Sequence, residues 1–191
     1  MYPDDDTVLP PIVRGDRDDT PRFSWYMHWK LPECRLKFLE EANEWRNICR
    51  SYMACTTFVD SQVGRVLAAV EKLGLADDTV VMLWGDHGWK LGEHGSWCKH
   101  TNFEIDTRAP LIVRAPERQA PGHRTSALVE FVDMYPTLCD LCGISTPSHL
   151  EGTSFAPLLN DSNGAWKTAA FSQYPPRRSM RSTGNIGQPP G

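Results

Sequence analysis

From Trp45 to Leu73 the apolar residues fall at 45, 48, 52, 55, 59, 63, 66, 70 and 73, in steps of three and four throughout. At 3.6 residues per turn only an α-helix gathers such positions on one face. The spacing therefore predicts one long amphipathic helix, or two nearly coaxial ones. Gly74 follows directly, where a helix end favours a residue free to take positive φ. A stripe of this length calls for an apolar surface to pack on. After the polar turn 76–79, Val80–Trp84 (VVMLW) has the uninterrupted apolar pattern of a buried strand. A second such pattern, PLIVRAP, covers Pro110–Pro116. The reading places Val80–Trp84 and Leu111–Val113 in one sheet, with the helix stripe, including Val59, Val66 and Val70, buried against it.

Beyond these, LVEFV (Leu128–Val132) reads as a strand and Asp133–Cys142 as a short helix, with Asp133 as N-cap and Gly143 as C-cap. AAFSQY (Ala169–Tyr174) is a last strand candidate. Helix, strand, long loop, strand, strand, helix is the order of an α/β fold. Residues 1–44 read as an irregular connecting segment, with Phe23, Trp25, Tyr26 and Trp29 among prolines and aspartates. Residues 45–175 form the core domain, and 176–191 a tail rich in Pro, Arg and Gly.

Charge narrows the partners. The formal net charge of −4 gives no global basic field, so nucleic acid is not an expected partner. The one basic cluster, Arg177, Arg178 and Arg181, sits among tail prolines and reads as solvated. The longest apolar run, Val80–Trp84, is far short of the roughly 20 residues that span a bilayer. The opening MYPDDDTVLPP lacks the apolar segment of a secretory leader, so the expectation is a cytosolic chain or one that begins inside a longer protein. Six cysteines include Cys139 and Cys142 in a C-x-x-C. That pair lies in a helix-like run with no second pair to complete a zinc site, so both read as buried structural thiols.

Between the first two strands lies Gly85–Arg108, with little periodicity and six glycines and histidines before Lys99. Loops of this length inside compact domains usually carry function, and α/β sheets gather ligands beyond the carboxyl ends of their strands. Asp86 and His87 stand at such an end and can aim a carboxylate and an imidazole at one cation. The flanking Gly85 and Gly88 let the backbone turn sharply. Lys99 follows thirteen residues after Asp86, with Glu93, His94 and His100 near it. A metal with an ammonium neutralises a tetrahedral oxyanion. Taken alone, Asp-His after a strand is equally explained by turn chemistry, His94 and His100 by loop packing, and Lys99 by solvation.

The run GDHGWKLGEHGSWCKHTNFEIDTRAPLIVRAP (Gly85–Pro116) resembles the sulfatase branch of the alkaline phosphatase superfamily, and most of all its iduronate-2-sulfatase-like members. The likeness continues upstream through YMACTTFVDSQVGRVLAAVEKLGLADDTVVMLW and downstream through EFVDMYPTLCDLCGI and EGTSFAPLL. It implies an alkaline-phosphatase-like sheet flanked by helices, here partial and truncated at both ends. It also implies a sulfuric ester hydrolase acting on a sulfated saccharide. Carried over position by position, it makes Asp86 a ligand of Ca2+, and puts His87 where iduronate-type members have His. Lys99 matches the lysine that contacts the sulfate, and Glu93 and His94 the stretch that shapes the loop. Intact relatives are typically exported or lysosomal.

The family's nucleophile is a formylglycine made from the first residue of C/S-x-P/A-x-R. None of the cysteines begins that pattern, and Ser145 in STPSH fails at His149. The N-terminal aspartate pair of the family is also missing, because Asp4–Asp6 is an acidic turn beside Pro3. The expected catalytic set within this chain is therefore empty. Three readings follow: a sulfatase fragment, a fragment of a zinc-dependent phosphoester hydrolase of the same superfamily, and a non-catalytic remnant or interaction module. Imidazole suits zinc better than calcium, so His87 does not discriminate between the first two.

Overall fold

The structure, a computed structural model, describes residues 2–21, 35–116 and 122–173. The aromatic cluster of residues 23–29, Cys34, Tyr174 and the arginines of the tail lie outside the described residues. A short helix, α1 (Leu36–Glu41), lies within the segment read as irregular. The three-and-four spacing forms one uninterrupted helix, α2 (Trp45–Lys72). It ends as a Schellman motif. Gly74, at φ 68°, donates to the Glu71 carbonyl at 3.0 Å, and Leu75 donates to Val70 at 3.0 Å.

The N-terminal half of α2 is well covered. Cys49 is fully buried with Val8, Leu39 and Trp97, and Trp45, Ile48 and Met53 pack around them. The opening residues run alongside. Arg46 pairs with Asp6 at 2.5 Å, Arg50 with Asp4 at 2.9 Å, and the Tyr2 and Thr57 hydroxyls bond to each other. Further along, the expected burial fails. Val59 is 57% exposed and Val66 65% exposed, with Phe58 and Leu73 similarly bare. Helical periodicity fixes which residues share a face, but burial needs a surface opposite. Among the described residues, the 3-10 turn Asp6–Val8 and α1 provide one only at the helix's first half.

Two strands, β1 (Val81–Trp84) and β4 (Leu111–Arg114), pair as the apolar runs predict, but they are not the buried strands expected: Leu83, Trp84 and Ile112 are exposed, because among the described residues only one face of the pair is covered. The pairing is antiparallel, with Val81 opposite Arg114 and Trp84 opposite Leu111. One face of this ribbon, through Met82, Leu111 and Val113, packs on Met134, Phe155 and Leu158. Between them the chain forms a small antiparallel hairpin, β2 (Lys90–Leu91) with β3 (Trp97–Cys98), and one turn of helix, α3 (Glu104–Thr107). The hairpin sits on α2: Trp45 Nε1 donates to the Leu91 carbonyl at 2.6 Å. The last α-helix among the described residues, α4 (Met134–Leu141), ends with Gly143 at φ 65° in a second Schellman motif.

The strand read at 128–132 is absent. Phe131–Asp133 is a 3-10 turn closed by a capping box, with the Glu130 amide donating to the Asp133 carboxylate at 2.8 Å. This local closure overrides the β propensity of Val and Phe. Ala169–Gln173 is not a strand either; the Phe171 amide donates to the Glu130 carboxylate at 2.9 Å, a side chain rather than a ladder. Asp133 precedes α4 as read, but its carboxylate serves other groups. It is wholly buried and accepts from Glu130, from the Thr153 amide at 2.9 Å and from Lys167 at 2.6 Å. Of the C-x-x-C pair, Cys139 is buried but Cys142 is exposed, because it closes the helix end facing solvent. Among the described residues no helix is long and apolar enough to cross a membrane.

Candidate functional site at the end of the first strand

Beyond Trp84 the ladder continues for one more bond, the Gly85 amide to the Pro110 carbonyl at 3.0 Å, and then the chain turns out of the sheet. Gly88 is the pivot. Its amide donates to the Asp106 carbonyl at 2.8 Å, and a Cβ there would lie 1.8 Å from the Ile105 carbonyl oxygen. Only glycine lets the two backbones meet this closely. Asp86 and His87 are thereby held between β1 and α3.

His87 is fixed on three sides. Nδ1 lies 2.8 Å from the Gly88 carbonyl oxygen, which can only accept, so this nitrogen carries the proton. In the neutral ring Nε2 then offers a lone pair, which takes the Lys99 ammonium. The Asp86 carboxylate stands 3.3 Å from the same Nε2. The ring also stacks on Trp89, at a centroid distance of 6.0 Å. Trp89 in turn stacks on Tyr52 of α2 and meets Trp97 edge-on. His87 is three-quarters buried, while the Asp86 carboxylate is 82% exposed.

The structure thus brings Asp86, His87 and Lys99 together. Lys99 returns to the strand end because the chain turns sharply on either side of it, with Cys98 at φ 75° and His100 at φ 65°. Left-handed backbone at non-glycine residues is costly and concentrates at sites the surroundings over-determine. Glu93 and His94 stay apart from this group. Glu93 accepts the Leu91 amide at 2.6 Å, and His94 pairs with Asp16 at 3.0 Å and stacks on Phe103 at 4.1 Å. Both hold the loop's shape.

One pair beneath the loop escapes sequence reasoning. Lys90 is 0% exposed and its ammonium is paired with the Asp106 carboxylate, itself almost wholly buried. A lysine in an aperiodic loop reads as solvated; its place between Trp89 and Leu91 is the only hint of burial.

As a calcium site these residues are incomplete. Calcium takes six to eight oxygen ligands, and the exposed Asp86 carboxylate can serve as one of them. His87 adds no oxygen, since imidazole offers only nitrogen, and its Nδ1 faces a carbonyl and its Nε2 a lysine. Among the described residues no three His, Cys, Asp or Glu side chains gather to hold a metal. A cavity of about 690 Å³ lies elsewhere, beside β4 between Val113, Val129, Phe155 and Leu158.

The sequence profile of the sulfatase family matches residues 2–144. A sulfatase from Formosa agariphila is 32% identical over 91% of this chain and 34% of its own length. Iduronate 2-sulfatase from Mus musculus is 38% identical over 58% of this chain and 24% of its own. Among solved structures, BT4656 in complex with its substrate D-glucosamine-2-N,6-O-disulfate superposes with a TM-score of 0.65 at 32% identity. That likeness covers 84% of this chain and 33% of the other, so the chain spans about a third of the length of such relatives or less.

Proposed function

This chain belongs to the sulfatase family, and from that premise we propose that it is part of a sulfuric ester hydrolase acting on sulfated carbohydrate. It carries the sulfate-binding lysine and part of the metal site. The observation that carries the proposal is the contact of the Lys99 ammonium with His87 Nε2, beside the Asp86 carboxylate at the end of β1. The similarity to a structure holding a doubly sulfated glucosamine supports the substrate class.

In this reading Lys99 is the cation that meets a sulfate oxygen. An ammonium held in place before substrate arrives costs no reorganisation when charge builds on that oxygen. His87 keeps it there: with Nδ1 tied to Gly88, the ring presents a lone pair towards Lys99 and leaves the ammonium's other hydrogens for the anion. Asp86 projects from the same strand end, where it would be one oxygen ligand of Ca2+ completed by residues outside the described ones. The attacking group is not supplied within these 191 residues, because no cysteine or serine here begins C/S-x-P/A-x-R. It would come from elsewhere in the complete protein.

One observation favours the zinc phosphoester reading: His87, beside Asp86, is a better ligand for zinc than for calcium. Its Nε2 must first part from Lys99 to bind any metal. Metal analysis of the complete protein, together with its relative activity on 4-nitrophenyl sulfate and 4-nitrophenyl phosphate, decides between them. Calcium with preferential sulfate-ester hydrolysis supports the sulfatase; paired zinc with preferential phosphate hydrolysis overturns it.

A further inference from the structure

Asp106 touches both arms of the site at once. Its backbone carbonyl takes the Gly88 amide, one residue after His87, at 2.8 Å. Its carboxylate Oδ2 accepts from the Thr101 amide at 3.1 Å and from the Thr101 hydroxyl, two residues after Lys99. The same oxygen is paired with Lys90, whose ammonium also donates to the Lys99 carbonyl at 3.1 Å and to the Thr101 hydroxyl at 3.3 Å. The backbone is therefore grasped at 99 and at 101, on either side of the left-handed His100. Lys90 belongs to β2, directly opposite Cys98 of β3, so the strand pairing and the ion pair fix the same stretch from two directions.

A buried ion pair is an expensive way to stabilise a fold, and an apolar pair of similar volume does as well or better. What a buried pair provides instead is direction: each charge must keep its donors and acceptors in place or be left unpaired. Here the bonds described converge on the residues that present Lys99. From this we infer that Lys90 and Asp106 are positioning residues for anion binding, setting the place of the Lys99 ammonium relative to His87. The inference rests on the reading of Lys99 as the sulfate-binding group.

Binding of inorganic sulfate to the intact protein, measured by titration calorimetry with melting temperatures alongside, tests it. Asp106→Asn should weaken sulfate binding about tenfold, since displacement of a binding group by even an ångström costs one to two orders of magnitude. Where that variant folds poorly, Lys90→Met with Asp106→Ala removes both charges and should show the same loss at a melting temperature close to the parent's. The decisive comparison uses Lys99→Ala. If Asp106 acts through Lys99, adding Asp106→Asn to Lys99→Ala changes sulfate affinity no further, whereas a general loosening of the fold would add its own loss. Parental sulfate affinity in the Lys90→Met, Asp106→Ala variant, or additive losses in the combined variant, overturns the inference and leaves the reading of Lys99 standing. Parental affinity in Lys99→Ala alone removes that reading, and the inference with it.

Discussion

At the scale of single residues, His87 does its work through its tautomer. The Gly88 carbonyl fixes the proton on Nδ1, and that assigns Nε2 to Lys99. Lys99 is partly buried but belongs to neither hydrophobic core, so its removal should damage chemistry and spare the fold. In the complete protein Lys99→Ala should lower kcat/KM for a sulfate ester by about 10²–10³, the usual effect of losing one preorganised charge-stabilising group. Its melting temperature should move by no more than a few degrees; steady-state kinetics with a thermal melt checks both. The thiols offer a second prediction. Burial pushes the Cys49 thiol up to about 11, and the negative charge of Glu93 adds to the effect. Cys55 and Cys142 are exposed. At pH 8 a thiol reagent read by mass spectrometry should label Cys55 and Cys142 within minutes and reach Cys49 only in denaturant. Labelling of native Cys49 at the rate of Cys55 would contradict the packing of α2 against the hairpin.

At the scale of elements, the most constrained contact is the closure of the segment after β1 onto α3. Gly88→Ala would drive a methyl group into the Ile105 carbonyl, so the two segments would separate and Asp86 and His87 would shift away from Lys99. The chemistry of α4 is legible in a different way. Burial alone would raise the pKa of Asp133, but hydrogen bonds from Lys167 and from the Thr153 and Glu130 amides outweigh it and hold the carboxyl below its ordinary value. A carboxyl whose folded pKa is depressed favours the folded state above its unfolded pKa and loses that contribution as pH falls through the folded value. Stability should therefore decline from about pH 4 downwards, near the ordinary carboxylate range. In the Asp133→Asn variant that acid dependence should flatten, with a loss of about 1–3 kcal/mol at neutral pH from disturbing buried charge-assisted hydrogen bonds, while Lys167 keeps its bond to Glu130. Urea denaturation across pH 2–7 measures both.

At the scale of the whole molecule, the described residues leave a broad apolar surface uncovered. Phe58, Val59, Val66 and Leu73 of α2 are exposed, as are Leu83 and Trp84 of β1 and Ile112 of β4. The chain spans about a third or less of the length of these relatives. The 191-residue chain by itself should bind the dye ANS strongly and hydrolyse no 4-nitrophenyl sulfate above background, since no cysteine or serine in it begins C/S-x-P/A-x-R. Fluorescence titration and a colorimetric assay on purified material check the two outcomes. Turnover by this chain alone would refute the proposed division of the site.

What the sequence determined by itself is whatever local periodicity and turn chemistry control. The three-and-four spacing specified helix here, as one piece or two coaxial ones, and Gly74 and Gly143 marked two helix ends, because glycine takes positive φ at little cost. The apolar runs at 80–84 and 110–116 specified β1 and β4 to within a residue or two, and Asp86 with His87 was readable as a strand-end pair. Everything that depends on a distant partner was decided by the tertiary structure. Leu128–Val132 has the composition of a strand, yet the carboxylates of Glu130 and Asp133 close it into a turn tied to Thr153 and Lys167. Val59 and Val66 share the apolar stripe with Trp45 and Ile48, yet only Trp45 and Ile48 have a surface opposite them. Lys90 and Asp106 are sixteen residues apart and each alone reads as a solvated charge. Their burial exists only because the hairpin and α3 enclose both, and a charge enters a protein interior only where its counter-charge is already waiting.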